Sequence, residues 1–126
     1  MRPEDLRKRT KSFALAITDF CDRLPPQPKF QEAGGQLRRS ANATASNYRA
    51  AGRARSHAEF RAKIGTVLEE ADESQYWLEL LGEMGVKDEQ LPSLQRESSE
   101  LVAIFTASHR TATRRSRKSD RSTANR

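Results

Sequence analysis

Residues 56–81 read SHAEFRAKIGTVLEEADESQYWLELL, and this stretch decides the fold class. Ser56 with Glu59 three residues later fits a capping box, in which the two side chains accept hydrogen bonds from otherwise free amides at a helix start. Apolar residues then recur at helical spacing, at Phe60, Ile64, Val67, Leu68, Ala71, Leu78 and Leu81. The pattern predicts a long amphipathic helix that ends near Gly82 and Gly85, because glycine is common where helices stop.

Three further helices are expected around this one. The first covers residues 4–23 and ends before the proline-rich segment at residues 24–28, since proline lacks an amide donor. The second covers about residues 30–52, and the fourth keeps its apolar face over residues 91–112. No long stretch alternates between apolar and polar residues as a strand does, and short connections favour antiparallel neighbours. We therefore predict an all-α, antiparallel up-down four-helix bundle over residues 1–113.

The C-terminal segment, residues 114–126, has a composition of its own. It begins Arg-Arg-Ser-Arg-Lys-Ser-Asp-Arg-Ser and has no apolar side chain before Ala124. We predict a disordered basic tail, because such a segment cannot bury enough surface to offset the entropy that ordering removes. Two interpretations of its charge remain open, which are non-specific contact with polyanions and a role in keeping the protein in solution.

The charge of the chain is divided into three blocks. The net charge of +6 combines 12 basic and 5 acidic side chains in residues 1–55, 5 and 11 in residues 56–113, and 6 and 1 in the tail. The front half is therefore basic and the back half acidic. This pattern favours attraction between the halves, between subunits, or to an anionic partner.

No catalytic or metal site is predicted. The acidic residues of the third helix that could serve a di-metal centre are Glu69, Glu70, Asp72, Glu73 and Glu79. Such a centre in a helical bundle needs a histidine three residues after an inward glutamate, and neither His57 nor His109 meets this condition. We expect a solvated or ion-paired acidic face instead, a core position for Cys21, no cofactor and no enzyme activity.

Two features indicate the compartment. The single cysteine, Cys21, cannot form a disulfide within the chain. No apolar run approaches the ~20 residues that a membrane-spanning helix needs. We therefore expect a cytoplasmic protein with no membrane partner.

A stripe of basic side chains is expected on the second helix, beside its buried face. At 100° per residue from Phe30, its members fall between about 80° and 140°. The stripe consists of Arg38, Asn42, Arg49 and Arg53. Its guanidinium groups could bind phosphate oxygens, or they could pair with the acidic third helix within or between subunits. In residues 40–52, nine of 13 residues are Ala, Ser, Thr or Gly, which indicates close packing inside the bundle or at a subunit interface.

Three motifs resemble a known family. They are QLRRSA at residues 36–41, ASNYR at residues 45–49 with ARS at residues 54–56, and EADESQYWLELL at residues 70–81. Together they are similar to the bacterial four helix bundle proteins that include the 23S ribosomal RNA intervening-sequence proteins and, more distantly, accessory proteins of diversity-generating retroelements. The resemblance extends over nearly the whole chain.

This resemblance implies a bundle that assembles into a homopentameric ring or barrel and engages nucleic acid through a basic surface, without catalytic residues. The positions where the family is basic are Arg38, Arg39, Arg49 and Arg55. Tyr76 and Trp77 stand where the family keeps aromatic residues near the bundle or subunit contact, and with Tyr48 they are the expected interface residues. The Ala-Ala-Gly at residues 50–52 departs from the family, in which many members are acidic soon after the Asn-Tyr pair. The basic tail is a second departure, so partner preference is expected to differ.

These observations lead to one expected function and one alternative. We expect a non-enzymatic, oligomeric protein that binds RNA or DNA through backbone phosphates with little sequence specificity. The expected contact residues are Arg38, Arg39, Arg49, Arg53, Arg55, Arg114, Arg115, Arg117 and Lys118. The alternative is a protein-interaction scaffold that binds an acidic protein, such as a polymerase.

Overall fold

The chain folds into four helices connected by short turns. A computed structural model describes the backbone of residues 1–124 and the side chains of residues 1–118. The helices are α1 (Pro3–Asp22), α2 (Pro28–Ala51), α3 (His57–Glu83) and α4 (Leu91–Ala124), and no strand occurs in this part of the chain.

Contacts between consecutive helices establish an up-down topology. The Cys21 thiol, near the end of α1, donates a hydrogen bond to the Gly34 carbonyl in the first half of α2, with an S···O distance of 3.3 Å. At the other end of the bundle, His57 Nε2 at the start of α3 lies 2.9 Å from the carbonyl oxygen of Ala112 in α4. Helix α4 also packs against α1 and closes the bundle. The predicted all-α, antiparallel four-helix bundle is confirmed.

The boundaries of α3 show how local sequence starts and stops a helix. The Ser56 hydroxyl accepts a hydrogen bond from the Glu59 amide at 3.1 Å, as the capping motif predicts. The Glu59 carboxylate accepts a hydrogen bond from the Arg55 amide at 3.3 Å, one residue before the position that a capping box specifies. Gly85 adopts a φ of +91°, a conformation that glycine allows, and α3 ends just before it.

The core forms where the four apolar stripes meet. Every helix contributes side chains that are fully buried or nearly so, including Ile17, Phe20, Leu37, Ile64, Leu78, Leu101 and Phe105. Two buried hydroxyls also join α2 to α3, because Ser40 Oγ and Ser74 Oγ lie 2.8 Å apart. No buried side-chain nitrogen or oxygen in the described part of the chain lacks a hydrogen-bond partner. The core is therefore apolar with a few satisfied polar groups.

Helix α4 extends beyond the bundle. Its last buried residue is Ala112, but its backbone remains helical through Ala124, where the sequence predicts disorder from residue 114. The physical reason for this difference is that residues 114–124 contain neither proline nor glycine, and adding residues to an existing helix costs far less than nucleating one. The end of the predicted tail, residues 125–126, lies outside the described residues.

Within the backbone described above, none of the four helices contains a stretch apolar enough to cross a membrane.

Candidate nucleic-acid interface

The antiparallel topology gathers basic residues at one end of the bundle. The start of α1, the end of α2, the start of α3 and the end of α4 meet there. Residues 1–11, 42–68 and 104–118, which form this basic end, contain 15 Lys or Arg and three Asp or Glu. Residues 12–41 and 69–103 contain six Lys or Arg and 13 Asp or Glu. The bundle is thus strongly polarised along its axis.

At the basic end, side chains from the end of α2 and from the connection to α3 form an exposed ridge. Arg49, Arg53 and Arg55 are all solvent-exposed, and together they are called the basic ridge below. Arg49 lies in the last turn of α2, whereas Arg53, predicted on the same helix, lies in the turn that follows it. Both line depressions on the two sides of α2. On the α3 side, Lys63 and Glu59 complete the surface around Arg55. No described carboxylate forms an ion pair with any of the three arginines.

The basic residues at the end of α4 lie at the same end of the molecule. Ala112 is held next to the start of α3 by the contact with His57, and α4 continues from there as a helix. The exposed cations that follow are Arg114, Arg115, Arg117 and Lys118. These four cations therefore extend the charged surface of the basic ridge outward from the bundle.

A groove between α1 and α2 carries further cations that the sequence analysis did not identify. Its volume is about 990 Å³, and its α1 wall includes the exposed side chains of Arg7, Lys8 and Lys11. Its one acidic lining residue, Glu4, pairs with Arg2 at 3.1 Å. In the sequence, these cations are visible only as basic residues of the first helix. They can be assigned to a groove only when the packing of α1 against α2 is known.

The neighbouring Arg9 has a different environment from the groove cations. Its guanidinium bridges α1 to α4, with Nη2 2.6 Å from Glu97 Oε1 and a second contact to Glu100. These hydrogen bonds raise the pKa of Arg9 above its usual range. Arg9 therefore holds two helices together and does not face the groove.

Arg39 forms ion pairs with carboxylates of α3. Its guanidinium binds the Glu70 carboxylate at 3.3 Å and also pairs with Glu73, to which the Trp77 indole donates a hydrogen bond at 3.3 Å. The hydrogen bond from Arg39 lowers the pKa of Glu73 below its usual range. The sequence left two interpretations open for these arginines, and Arg39 pairs with the acidic third helix.

Arg38 is exposed but lies away from the basic ridge, towards the middle of the bundle. It faces the α1 side, where its positive charge acts on the Cys21 thiol. Burial is the larger effect on that thiol and raises the pKa of Cys21 to about 11, so the cysteine is a protonated core residue. The predicted stripe is therefore divided, since only Arg49 and Arg53 of its arginines reach the basic end.

The three aromatic residues predicted at an interface differ in exposure. Tyr48 is half-buried and packs on Phe105, with ring centroids 5.3 Å apart, and burial raises its pKa. Trp77 is half-buried against the core. Tyr76 is 53% exposed and meets the Trp77 ring edge to face at 5.0 Å. Tyr76 is therefore the member of this set that projects most into solvent.

Beyond Glu59 in its first turn, the acidic residues of α3 fall into two groups. Glu70 and Glu73 are half-buried and bind Arg39, as described above. The exposed group, called the acidic stripe below, recurs at steps of three and four residues and includes the exposed tyrosine. It consists of Glu69, Asp72, Tyr76, Glu79 and Glu83. No three described His, Cys, Asp or Glu side chains converge as metal ligands would.

The fold and these surfaces define a small helical-bundle protein with its cations gathered at one end. The chain belongs to the 23S rRNA-intervening sequence protein family, whose model matches residues 4–107. It is also similar to the crystal structure of a protein with unknown function from the S23 ribosomal protein family of Bacteroides thetaiotaomicron VPI-5482, with a TM-score of 0.78 and 29% sequence identity. That similarity covers 87% of this chain and 99% of that one. No curated protein matches the chain. The family indicated by the three sequence motifs is confirmed.

Proposed function

We propose that this protein binds RNA or DNA without enzyme activity, through the basic ridge and the cations at the end of α4. The observation that carries the proposal is the concentration of exposed cations at one end, where the basic ridge has no ion-pair partner among the described residues. Membership of the 23S rRNA-intervening sequence protein family supports a nucleic-acid partner.

The proposed contacts are mainly to phosphates. Arg49, Arg53 and Arg55 present planar guanidinium groups that can donate two parallel hydrogen bonds to one phosphate. Contacts of this kind hold the nucleic-acid backbone and carry no direct information on base sequence. We therefore expect low sequence specificity. We also expect an affinity that falls steeply as the salt concentration rises, because the release of counterions from the nucleic acid then becomes less favourable.

Assembly into a homo-oligomer completes the proposal, and the resemblance described above points to a pentamer. Several basic ends on one particle would contact the same strand, and the second contact would occur at high effective concentration. Avidity of this kind can raise affinity by roughly 10² to 10⁴ without any new type of contact. We place this binding in the cytoplasm, where Cys21 would stay a free thiol.

A salt titration tests the proposed function. Fluorescence anisotropy would follow binding to RNA and DNA of equal length and mixed sequence between about 50 and 300 mM salt. The logarithm of the binding constant should fall linearly with the logarithm of salt concentration, by about 0.7 to 0.9 for each phosphate contact. An affinity that does not change with salt, or no binding at 50 mM, would contradict the proposal.

The alternative function is a scaffold for an acidic protein. It is favoured by the apolar side chains on the floor of the α1–α2 groove, which phosphate contacts do not require. A pull-down after nuclease treatment separates the two functions. Retention of one specific acidic protein by a chain that binds no nucleic acid would favour the scaffold.

A further inference from the structure

The α1–α2 groove has an apolar floor as well as basic walls. The floor is formed by small residues of both helices and by Leu15, which is 60% exposed. The small residues are Ala14, Ala43 and Ala45. In the described chain, the large apolar side chains that are most exposed are Met1, Leu15 and Tyr76. A concave apolar floor between cations fits an apolar or aromatic side chain that has acidic neighbours.

The acidic stripe on α3 has this chemistry. Its central residue, Tyr76, is 53% exposed, and Asp72 and Glu79 lie one turn before and one turn after it on the same helix face. None of the four carboxylates of the stripe forms an ion pair with a described residue. The ring of Tyr76 packs edge to face on Trp77, so one side of the ring is supported by the bundle.

The groove and the stripe cannot meet within one molecule. Helix α3 packs against α2 and α4, whereas the groove opens between α1 and α2. The two surfaces are at similar levels along the bundle axis, since Ser74 lies opposite Ser40 in α2 and Gly34 lies opposite Cys21 in α1. Two copies packed side by side with parallel axes would therefore bring Tyr76 of one copy close to Leu15 of the other.

We propose that the acidic stripe of one copy docks in the α1–α2 groove of a second copy. Tyr76 packs on Leu15 and the small residues of the floor, while Glu69 and Asp72, on the two α3 turns before Tyr76, face Lys8 and Lys11. The contact is heterologous, because each copy contributes a different face, and it generates a ring or an open helical assembly. This docking contact rests on the proposed function, because it would form the homo-oligomer that multivalent nucleic-acid binding requires. The basic ends of all copies then lie on one side.

The test uses two charge-reversed variants of the full chain. The groove variant is Lys8→Glu with Lys11→Glu, and the stripe variant is Glu69→Lys with Asp72→Lys. All four side chains are exposed and form no ion pair with described residues, so the fold should be retained, which circular dichroism would confirm. Control variants Lys29→Glu and Glu89→Lys change exposed charges outside both surfaces.

Mass in solution, measured by light scattering or sedimentation, gives the result. Wild type and both controls should assemble, and each reversed variant alone should remain at the 14.3 kDa of one chain. In a mixture of the two variants, the intact stripe of one fits the intact groove of the other, and the reversed stripe fits the reversed groove. Mixing should therefore restore particles larger than one chain, in which the two variants alternate. A chain carrying all four reversals should regain the wild-type assembly.

Assembly of both reversed variants like wild type would overturn the docking contact and leave the oligomer with a different interface. Monomers in the mixture together with a monomeric four-reversal chain would overturn it as well. A monomeric wild type would remove the oligomer and this contact together. Nucleic-acid binding is judged separately, by the salt titration, because the variants leave the basic ridge unchanged.

Discussion

At the scale of single residues, pairing within the chain decides which cations are available to a partner. Arg39 and Arg9 hold carboxylates of neighbouring helices, whereas Arg49 and Arg53 do not pair with any described carboxylate. The sequence could not separate these cases, since Arg9, Arg39 and Arg49 occur on amphipathic helices and Arg53 follows one directly. The separation depends on which helix packs beside each arginine, and that is a tertiary property.

The ion pair of Arg39 with Glu73 predicts a dependence of stability on pH. The pKa of Glu73 is lowered in the folded state from the ordinary value of 4.5, so the pair stabilises the fold above that pH. This contribution is lost as pH falls below 4.5 and through the folded-state pKa. Because the pair is largely solvent-screened, the difference should be at most about 0.5 kcal/mol.

Urea unfolding of wild type and Glu73→Gln at pH 6 and pH 3 measures this effect. Wild type should be the more stable at pH 6, and the difference should shrink towards zero at pH 3. Glu69→Gln is the matched control, because Glu69 is exposed and pairs with no described residue. A Glu73→Gln difference that is the same at both pH values would contradict the assignment.

The buried hydroxyl pair gives a second prediction at this scale. Ser40 and Ser74 also bond to carbonyls of their own helices, at 3.0 Å to Leu37 and 3.0 Å to Glu70. Either serine changed to alanine should cost about 1 kcal/mol, and the double variant should cost less than the sum by about 0.5 kcal/mol. Thermal or urea unfolding measures all three, with Ser46→Ala as an exposed control. Strict additivity would show that the inter-helix bond contributes nothing.

At the scale of elements, most of the fold follows from sequence patterns. The spacing of apolar residues predicts the first helix at residues 4–23, and the structure has it at Pro3–Asp22. The prolines of residues 24–28 and the glycines near residues 82–85 likewise predict the connections before Pro28 and after Glu83. The end of α4 was not located, because a polar segment without helix-breaking residues can continue a helix that a packed core has already nucleated.

Removal of the α4 extension tests what it contributes. A chain that ends at Thr113 keeps every described buried residue, so its melting temperature should stay within about 2 °C of wild type. Its affinity for nucleic acid should be lower and should depend less steeply on salt, because six basic residues are removed, among them Arg114, Arg115, Arg117 and Lys118. Calorimetry and anisotropy measure the two properties. Complete loss of binding would show that the basic ridge does not bind nucleic acid by itself.

At the scale of the whole molecule, topology redistributes the charge of the chain. Along the sequence the basic and acidic blocks divide near residue 55, but in the fold the division runs across the bundle axis. Antiparallel packing produces this change, since it brings the start of α1 beside the end of α2 and the start of α3 beside the end of α4. The groove cations of α1 therefore could not be assigned to a common surface before the packing was known.

Reversal of charge on the basic ridge tests the central claim most directly. Anisotropy with RNA would compare wild type, Arg53→Glu with Arg55→Glu, and the control Lys29→Glu, which changes an exposed cation at the opposite end of the bundle. The ridge variant should lose at least about tenfold in affinity. The slope of log affinity against log salt concentration should decrease by the equivalent of about two phosphate contacts per subunit. The control should bind like wild type. Equal affinity of the ridge variant and wild type would contradict the account.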